Sequence, residues 1–310
     1  MVELEKIAKW HDKCELVLRI RADDPGAKIS FGVKYGAAPD EYEPLLRRAK
    51  EFGLSVVGVS FHVGSMAKNP SAYTFAISEA RKIFDVGTEL GHKMRLVDLG
   101  GGFVGRFDSH GRVLSMLGDV PKTINEALEE HFGPDSPYSE CKIIAEPGRY
   151  FSEASMHLAC VIHSYRVRAD AQGASLVDYI ISDGLYGSFN AVLYDGARPR
   201  AWLLYDPLSD NTEESSDEAE MDRSNVFGPT CDSMDCVFKN VMLPRLTIGD
   251  WLLFPHFGAY SLAGACNFNG IQSANPNIFH IVSESNVDSD QPIVILYSCE
   301  MEEKPSPIVA

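Results

Sequence analysis

Apolar and polar residues follow two different rhythms along this chain. Up to about residue 160, short apolar runs stand at Leu16–Ile20, Val56–Phe61, Leu96–Leu99 and Ile143–Ala145, with starts roughly 40 residues apart. Short runs apolar on both faces are the mark of buried parallel strands. Between them Asp40–Phe52, Pro70–Gly91 and Val120–His131 read as helices. Gly53 stands where a C-cap belongs, and Pro70 and Gly91 bracket the second helix in the usual order. The first half is therefore expected to be a series of βα units. An amphipathic helix precedes them in MVELEKIAKWHDK, which is not a signal peptide.

Beyond residue 160 the runs become short, apolar and separated by turn residues: Tyr179–Ser182, Ala191–Tyr194, Trp202–Tyr205, Asp250–Phe254 and Ile293–Tyr297. This pattern predicts β structure. The expected architecture is α/β plus all-β: part of a (β/α) barrel over residues 1–160, then a sandwich-like or barrel-like β domain over 161–310.

Composition changes this picture only locally. The chain has 310 residues, a net charge of −16, 45% hydrophobic and 23% charged residues, as a globular protein with a real core should. Eight acidic residues and no basic ones lie in Asp206–Asp222, so half the net charge belongs to one tract, read as a solvated insertion. No basic surface for nucleic acid is indicated. No apolar run reaches the ~18 residues of a membrane span. The seven cysteines form no CxxC pair and suggest reduced thiols, no metal site and a cytoplasmic location.

Chemistry is expected at the carboxyl ends of barrel strands. There the sequence places Arg21, then His62-Val63-Gly64-Ser65, then Gly100-Gly101-Gly102, then Glu146-Pro147-Gly148-Arg149. Successive glycine N–H groups can approach a phosphate, though a tight turn explains such a triplet as well. Arg149 suits a phosphate and Glu146 a protonated ring nitrogen, while a surface ion pair is the plainer alternative. His62 alone is more often a satisfied core histidine, and Cys231 in Gly228-Pro229-Thr230-Cys231-Asp232 a buried structural thiol. Tyr194-Asp195 and Gly258-Ala259-Tyr260 are individually ordinary. Together these groups supply what carbanion chemistry on pyridoxal phosphate requires.

The motifs VVGVSFHVGS, DLGGGFVG, IIAEPGRYF, DGLYGSFNAVLYD, FGPTCD, GDWLLF and GAYSLAGACNFNG occur in this order. By them the chain resembles the ornithine/diaminopimelate/arginine group of fold-type III, alanine-racemase-like pyridoxal-phosphate decarboxylases, the ornithine decarboxylases above all. The resemblance implies pyridoxal 5′-phosphate as cofactor and the conversion of L-ornithine to putrescine in polyamine synthesis. His62 would stack on the pyridine ring. Ser65, Gly100, Gly101, Gly102, Arg149 and Tyr260 would bind the phosphate, with Pro147 and Gly148 in the same turn, and Glu146 would pair with the ring nitrogen. Tyr194 and Asp195 would line the substrate pocket, and Phe268 would border it. Asp232 and Cys231 would come from the partner of a homodimer with shared sites. Cys231 would act as the proton donor after carbon dioxide leaves, and antizyme is a further partner the family suggests.

The chain departs from the family in one respect. The Schiff-base lysine belongs to a YAVKCN-like strand well upstream of HVGS. Lys34, in Phe31-Gly32-Val33-Lys34-Tyr35, lies only 28 residues before His62 and matches a later family segment near the dimer interface. Four βα-type strands are also half of the eight a closed barrel needs. The expectation is an N-terminally incomplete copy, inactive alone. A non-catalytic, antizyme-inhibitor-like or regulatory subunit pairing with a full-length homologue is the alternative.

Overall fold

The computed structural model describes residues 1–22, 31–65, 69–103, 105, 120–169, 173–204, 221–273, 275–279 and 296–298. The chain divides into two compact units, Met1–Glu153 and Ala154–Ala310.

In the first unit, α1 (Val2–Trp10) precedes β1 (Glu15–Arg19), α2 (Tyr42–Glu51), β2 (Ser55–Ser60), α3 (Ser71–Glu89), β3 (Leu96–Asp98), α4 (Val120–Phe132), β4 (Lys142–Ile144) and α5 (Gly148–Ser152). The four strands form one parallel sheet in chain order. β2 is buried on both faces over Val56–Val59, which explains its unbroken apolar run. Its core partners include Tyr73, Ile77 and Phe84 of α3 and Val97 of β3. Gly53, at φ +73°, ends α2 and donates to the Lys50 carbonyl at 2.9 Å. Gly91, at φ +81°, follows α3.

The pairing register decides where chemistry is presented. Arg19 pairs with Ser60, Ser60 with Asp98, and Asp98 with Ile144. All four strands thus end in line, and the segments that follow start from one edge of the sheet.

The second unit holds β5 (Leu158–Ala169), β6 (Ser175–Ile181), α6 (Ala191–Tyr194), β7 (Trp202–Leu204), β8 (Met221–Phe227), β9 (Cys236–Pro244), β10 (Trp251–Phe254) and β11 (Leu296–Ser298). The strands make one continuous sheet in the order β11-β7-β10-β5-β6-β8-β9. Two strand groups share β5: its first residues pair with β10, and the rest pair with β6 after an irregularity between Ile162 and Ser164. All neighbours are antiparallel except β6 and β8. The core gathers Cys160, Ile162, Tyr179, Ile181, Phe189, Val226, Leu252 and Phe254.

The run Ala191–Tyr194, expected as a strand, is a short helix. It continues the 3₁₀ turn Ser188–Asn190, and among the described residues no strand pairs with it. Three strands escaped the apolar-run reading: β5, β8 and β9. β8 reads MDRSNVF, yet Ser224 and Asn225 are buried in it because polar partners receive them. Asn225 donates to Asp178, which also accepts from Arg166 and Arg168. Of the acidic tract 206–222, only Met221 and Asp222 are among the described residues, and they open β8. Among the described residues no helix is long and apolar enough to cross a membrane.

Candidate functional site

The first unit builds a backbone cradle. Asp98, the last residue of β3, accepts the Gly100 N–H at 2.9 Å. The Gly100 carbonyl accepts the Glu146 N–H at 2.7 Å, tying the β3 end to the β4 end. Gly100 has φ +63°, and a Cβ on it would collide with the Phe61 carbonyl oxygen. Gly102 has φ +99°, and its Cβ would collide with the Gly64 carbonyl oxygen. Both positions therefore demand glycine through conformation and through space. Gly101 lies between Glu146 and His62 just as closely. The strand-end segments 61–65, 99–103 and 145–149 thus meet.

Two side chains brace this cradle. His62 accepts the Gly64 N–H on Nδ1 at 3.1 Å, which assigns the neutral ring's proton to Nε2. Burial first, then the Arg19 guanidinium, hold this imidazole below its ordinary pKa, so the ring is neutral at pH 7. Phe31 meets it edge-on, with centroids 4.7 Å apart. Tyr73, fully buried in α3, reaches the Gly101 carbonyl with its hydroxyl at 3.4 Å. Ser65 is half-buried at the end of the His62 segment.

Glu146 is exposed, Pro147 leads into α5, and Gly148 donates to the Glu146 carbonyl at 2.8 Å. Arg149 is mostly buried and pairs with buried Glu153 one turn later, at 3.4 Å. Glu153 went unremarked in the sequence. Its i+4 spacing was the available signal for a carboxylate that holds the Arg149 guanidinium.

These features fit a phosphorylated ring. Clustered backbone donors with no room for Cβ atoms suit a phosphate, a neutral imidazole offers a ring face, and an arginine and a glutamate stand in adjoining turns. His62, Gly100, Gly101, Gly102 and Arg149 could hold the group.

The second unit builds a different constellation. Cys231 is exposed and Asp232 half-buried, in the turn after β8. Tyr186 donates its hydroxyl to Asp232 and stacks on Phe268, with centroids 4.0 Å apart and planes 16° from parallel. The Asp232 carboxylate also accepts the Met234 N–H at 2.9 Å. That N–H, then the tyrosine hydroxyl, hold Asp232 below the usual carboxylate range. The same bond pushes Tyr186 up to about 12. Asp232 is therefore held as an anion. Asn269 Nδ2 donates to Cys231 Sγ at 3.1 Å.

Beneath the turn, fully buried Asp235 accepts the Leu185 N–H at 2.7 Å, the Thr230 N–H at 3.0 Å and the Thr230 hydroxyl at 2.7 Å. It pins the 228–235 turn to the 183–188 loop that carries Tyr186. Tyr194 is exposed at the end of α6, followed by half-buried Asp195. Tyr260 is exposed at φ +57°. Cys231, Asp232 and Phe268 thus share one cluster. Tyr186, Asp235 and Asn269 complete the cluster. The sequence hides them because the bonds Asn269–Cys231, Tyr186–Asp232 and Leu185–Asp235 join positions 38 to 50 residues apart.

Comparison with known proteins places this geometry. Residues 1–153 match the family described as pyridoxal-dependent decarboxylase, pyridoxal binding domain. Ornithine decarboxylase of Rattus norvegicus is 41% identical over 293 residues, covering 92% of this chain and 60% of that protein. Antizyme inhibitor 2 of Xenopus laevis is 40% identical, covering 88% of this chain and 58% of that protein. Among solved structures, the arginine decarboxylase of Paramecium bursaria Chlorella virus bound to agmatine superposes with a TM-score of 0.76. It has 38% identity and covers 87% of this chain and 67% of that one. The chain spans about 60% of the length of the curated relatives it matches. Residues 1–153 thus match a pyridoxal-binding domain, and the chain belongs to the pyridoxal-dependent decarboxylase family.

Proposed function

We propose that this chain serves pyridoxal-phosphate-dependent decarboxylation of a basic amino acid, L-ornithine first, to give putrescine. The observation that carries the reading is the in-line ending of β2, β3 and β4, which brings His62, Gly100–Gly102 and Glu146–Arg149 into one backbone-built seat. When bound there, pyridoxal phosphate supplies the electron sink for the carbanion left as carbon dioxide departs. The chain's own residues would supply the rest of the site apart from the lysine that turnover requires. The Gly100–Gly102 loop, through its Gly101 and Gly102 N–H groups since Gly100 gives its own to Asp98, would bind the phosphate together with Ser65, Arg149 and Tyr260. Neutral His62 presents its ring face, and Glu146 favours a proton on the ring nitrogen. Tyr194 and Asp195 line the substrate side, and Phe268 borders it. Asp232, held as an anion by the Met234 N–H and Tyr186, receives the distal ammonium. Cys231 gives a proton to the carbanion. The substrate is a small cation, and the site is completed across a two-fold homodimer.

Turnover requires a lysine that the described site does not contain. Lys34 is exposed, with Nζ 5.1 Å from the Tyr35 ring centroid, outside the cradle's contacts. The second reading is a regulatory or antizyme-inhibitor-like subunit that lends Cys231 and Asp232 to a full-length homologue. It is favoured by the 228–235 turn, which Asp235 and Tyr186 brace with hydrogen bonds made within the second unit.

The test is release of carbon dioxide and putrescine from L-ornithine. It is run with the chain alone and with the chain plus a full-length ornithine decarboxylase inactivated at the positions matching Cys231 and Asp232. The expected result is no product alone and recovered product in the mixture. Product from the chain alone would contradict the lysine argument and direct attention to Lys34. No product in either arm would overturn the subunit reading.

A further inference from the structure

Asn269 is strained and aimed. It has φ 53° and ψ 31°, inside a turn where only glycine is at ease, and Gly270 follows it at φ 78°. Non-glycine residues adopt this conformation at a cost, and asparagine is among the least penalised. Such strain is retained where the surroundings use it. Here it directs the carboxamide Nδ2 to Cys231 Sγ at 3.1 Å. The preceding residue, Phe268, lies flat on Tyr186, whose hydroxyl holds the neighbouring Asp232. One two-residue segment therefore fixes both members of the Cys231-Asp232 pair: Phe268 acts through Tyr186, and Asn269 acts directly.

We propose that Asn269 is a positioning residue for Cys231: its amide donor orients the sulfur and stabilises the negative charge that builds there as the thiol gives up its proton. An N–H pointed at the atom where charge develops acts in the direction proton donation requires. The inference rests on the Cys231 role proposed above, but it concerns a property of this thiol that is measurable without cofactor or substrate.

The experiment measures carbamidomethylation of Cys231 by iodoacetamide at pH 7.5, followed by peptide mass spectrometry, with exposed Cys266 of the same molecule as internal reference. Alkylation also needs the deprotonated sulfur, so it reads the same charge. Asn269→Gly removes the donor and suits the positive φ, so the backbone and the thermal midpoint should be kept. Asn269→Asp keeps the shape and an acceptor but removes the donor and adds a negative charge. Cys231 alkylation is expected to slow roughly five- to tenfold in the glycine variant, the size of one ordinary net hydrogen bond of about 1 kcal/mol. It should slow further in the aspartate variant, with Cys266 unchanged in both. An unchanged or faster Cys231 rate in Asn269→Gly would overturn the proposal, as would parallel changes at Cys266. Failure of the chain to support ornithine turnover would leave this measurement untouched, so the two ideas fail separately.

Discussion

The two units hold their candidate residues by opposite means. In the first, backbone does the holding: parallel strands end in register, and Gly100–Gly102 pack where no Cβ fits. In the second, side chains do it: Tyr186, Phe268 and Asn269 brace a turn from distant parts of the chain, and Asp235 ties that turn to itself and to Leu185. A backbone-built seat offers little to trim and breaks as a whole. A side-chain-built brace can lose one member and keep its neighbours.

The comparison is broken most severely at Gly100. Gly100→Ala forces a Cβ against the Phe61 carbonyl and a left-handed conformation on alanine. It should cost about 2–5 kcal/mol, from overpacking together with the left-handed penalty. Urea unfolding should show the loss in the first unit, and a cost below about 1 kcal/mol would mean the strand ends are not so closely joined. Asp235→Ala is next. It strands three donors in a fully buried place and should cost about 2–4 kcal/mol, seen as earlier unfolding of the second unit.

Asp178 sharpens the comparison through pH. Burial pushes its pKa up, but Arg168, Asn225 and Arg166 outweigh that and leave it below the usual carboxylate range. A depressed carboxylate stabilises the fold above its unfolded pKa, and that stability is lost as pH falls through the folded value. Asp178→Asn should cost about 1–2 kcal/mol at pH 7, less than a fully buried pair because both arginines are exposed. The difference from wild type should shrink on acidification below the ordinary carboxylate range, and a difference constant with pH would contradict the charge argument. Phe268→Ala should have the smallest effect, about 1 kcal/mol for a lost aromatic stack. Loss of Tyr186 stacking should be visible as a change in tyrosine near-ultraviolet dichroism without loss of the fold.

The same contrast explains what the sequence disclosed. Val56–Val59 are buried on both faces of β2 and Val97 is buried in β3, so apolar runs located them, and His62, Gly100 and Glu146 follow such runs directly. β8 was hidden because its buried Ser224 and Asn225 are polar residues satisfied across the sheet, a compensation invisible without the fold. Ala191–Tyr194 misled because four apolar residues fit a helix or a strand equally well until their neighbours decide. Family resemblance pointed to Cys231, Asp232 and Phe268. Tyr186 and Asn269 emerge only from the fold, since no local spacing links them to the turn they brace, and Asp235 is one of many acidic residues until its buried bonds to Thr230 and Leu185 are seen.

The central claim is that the in-register strand ends form a seat for pyridoxal phosphate, and retention of the cofactor tests it most directly. The chain is equilibrated with pyridoxal 5′-phosphate, passed through a desalting column and assayed for bound phosphate ester, beside Gly102→Ala and Arg149→Gln. The account predicts one cofactor retained per wild-type chain, little in Gly102→Ala and weakened retention in Arg149→Gln, with circular dichroism preserved in the latter. No cofactor on the wild-type chain, or equal amounts on all three, would contradict it.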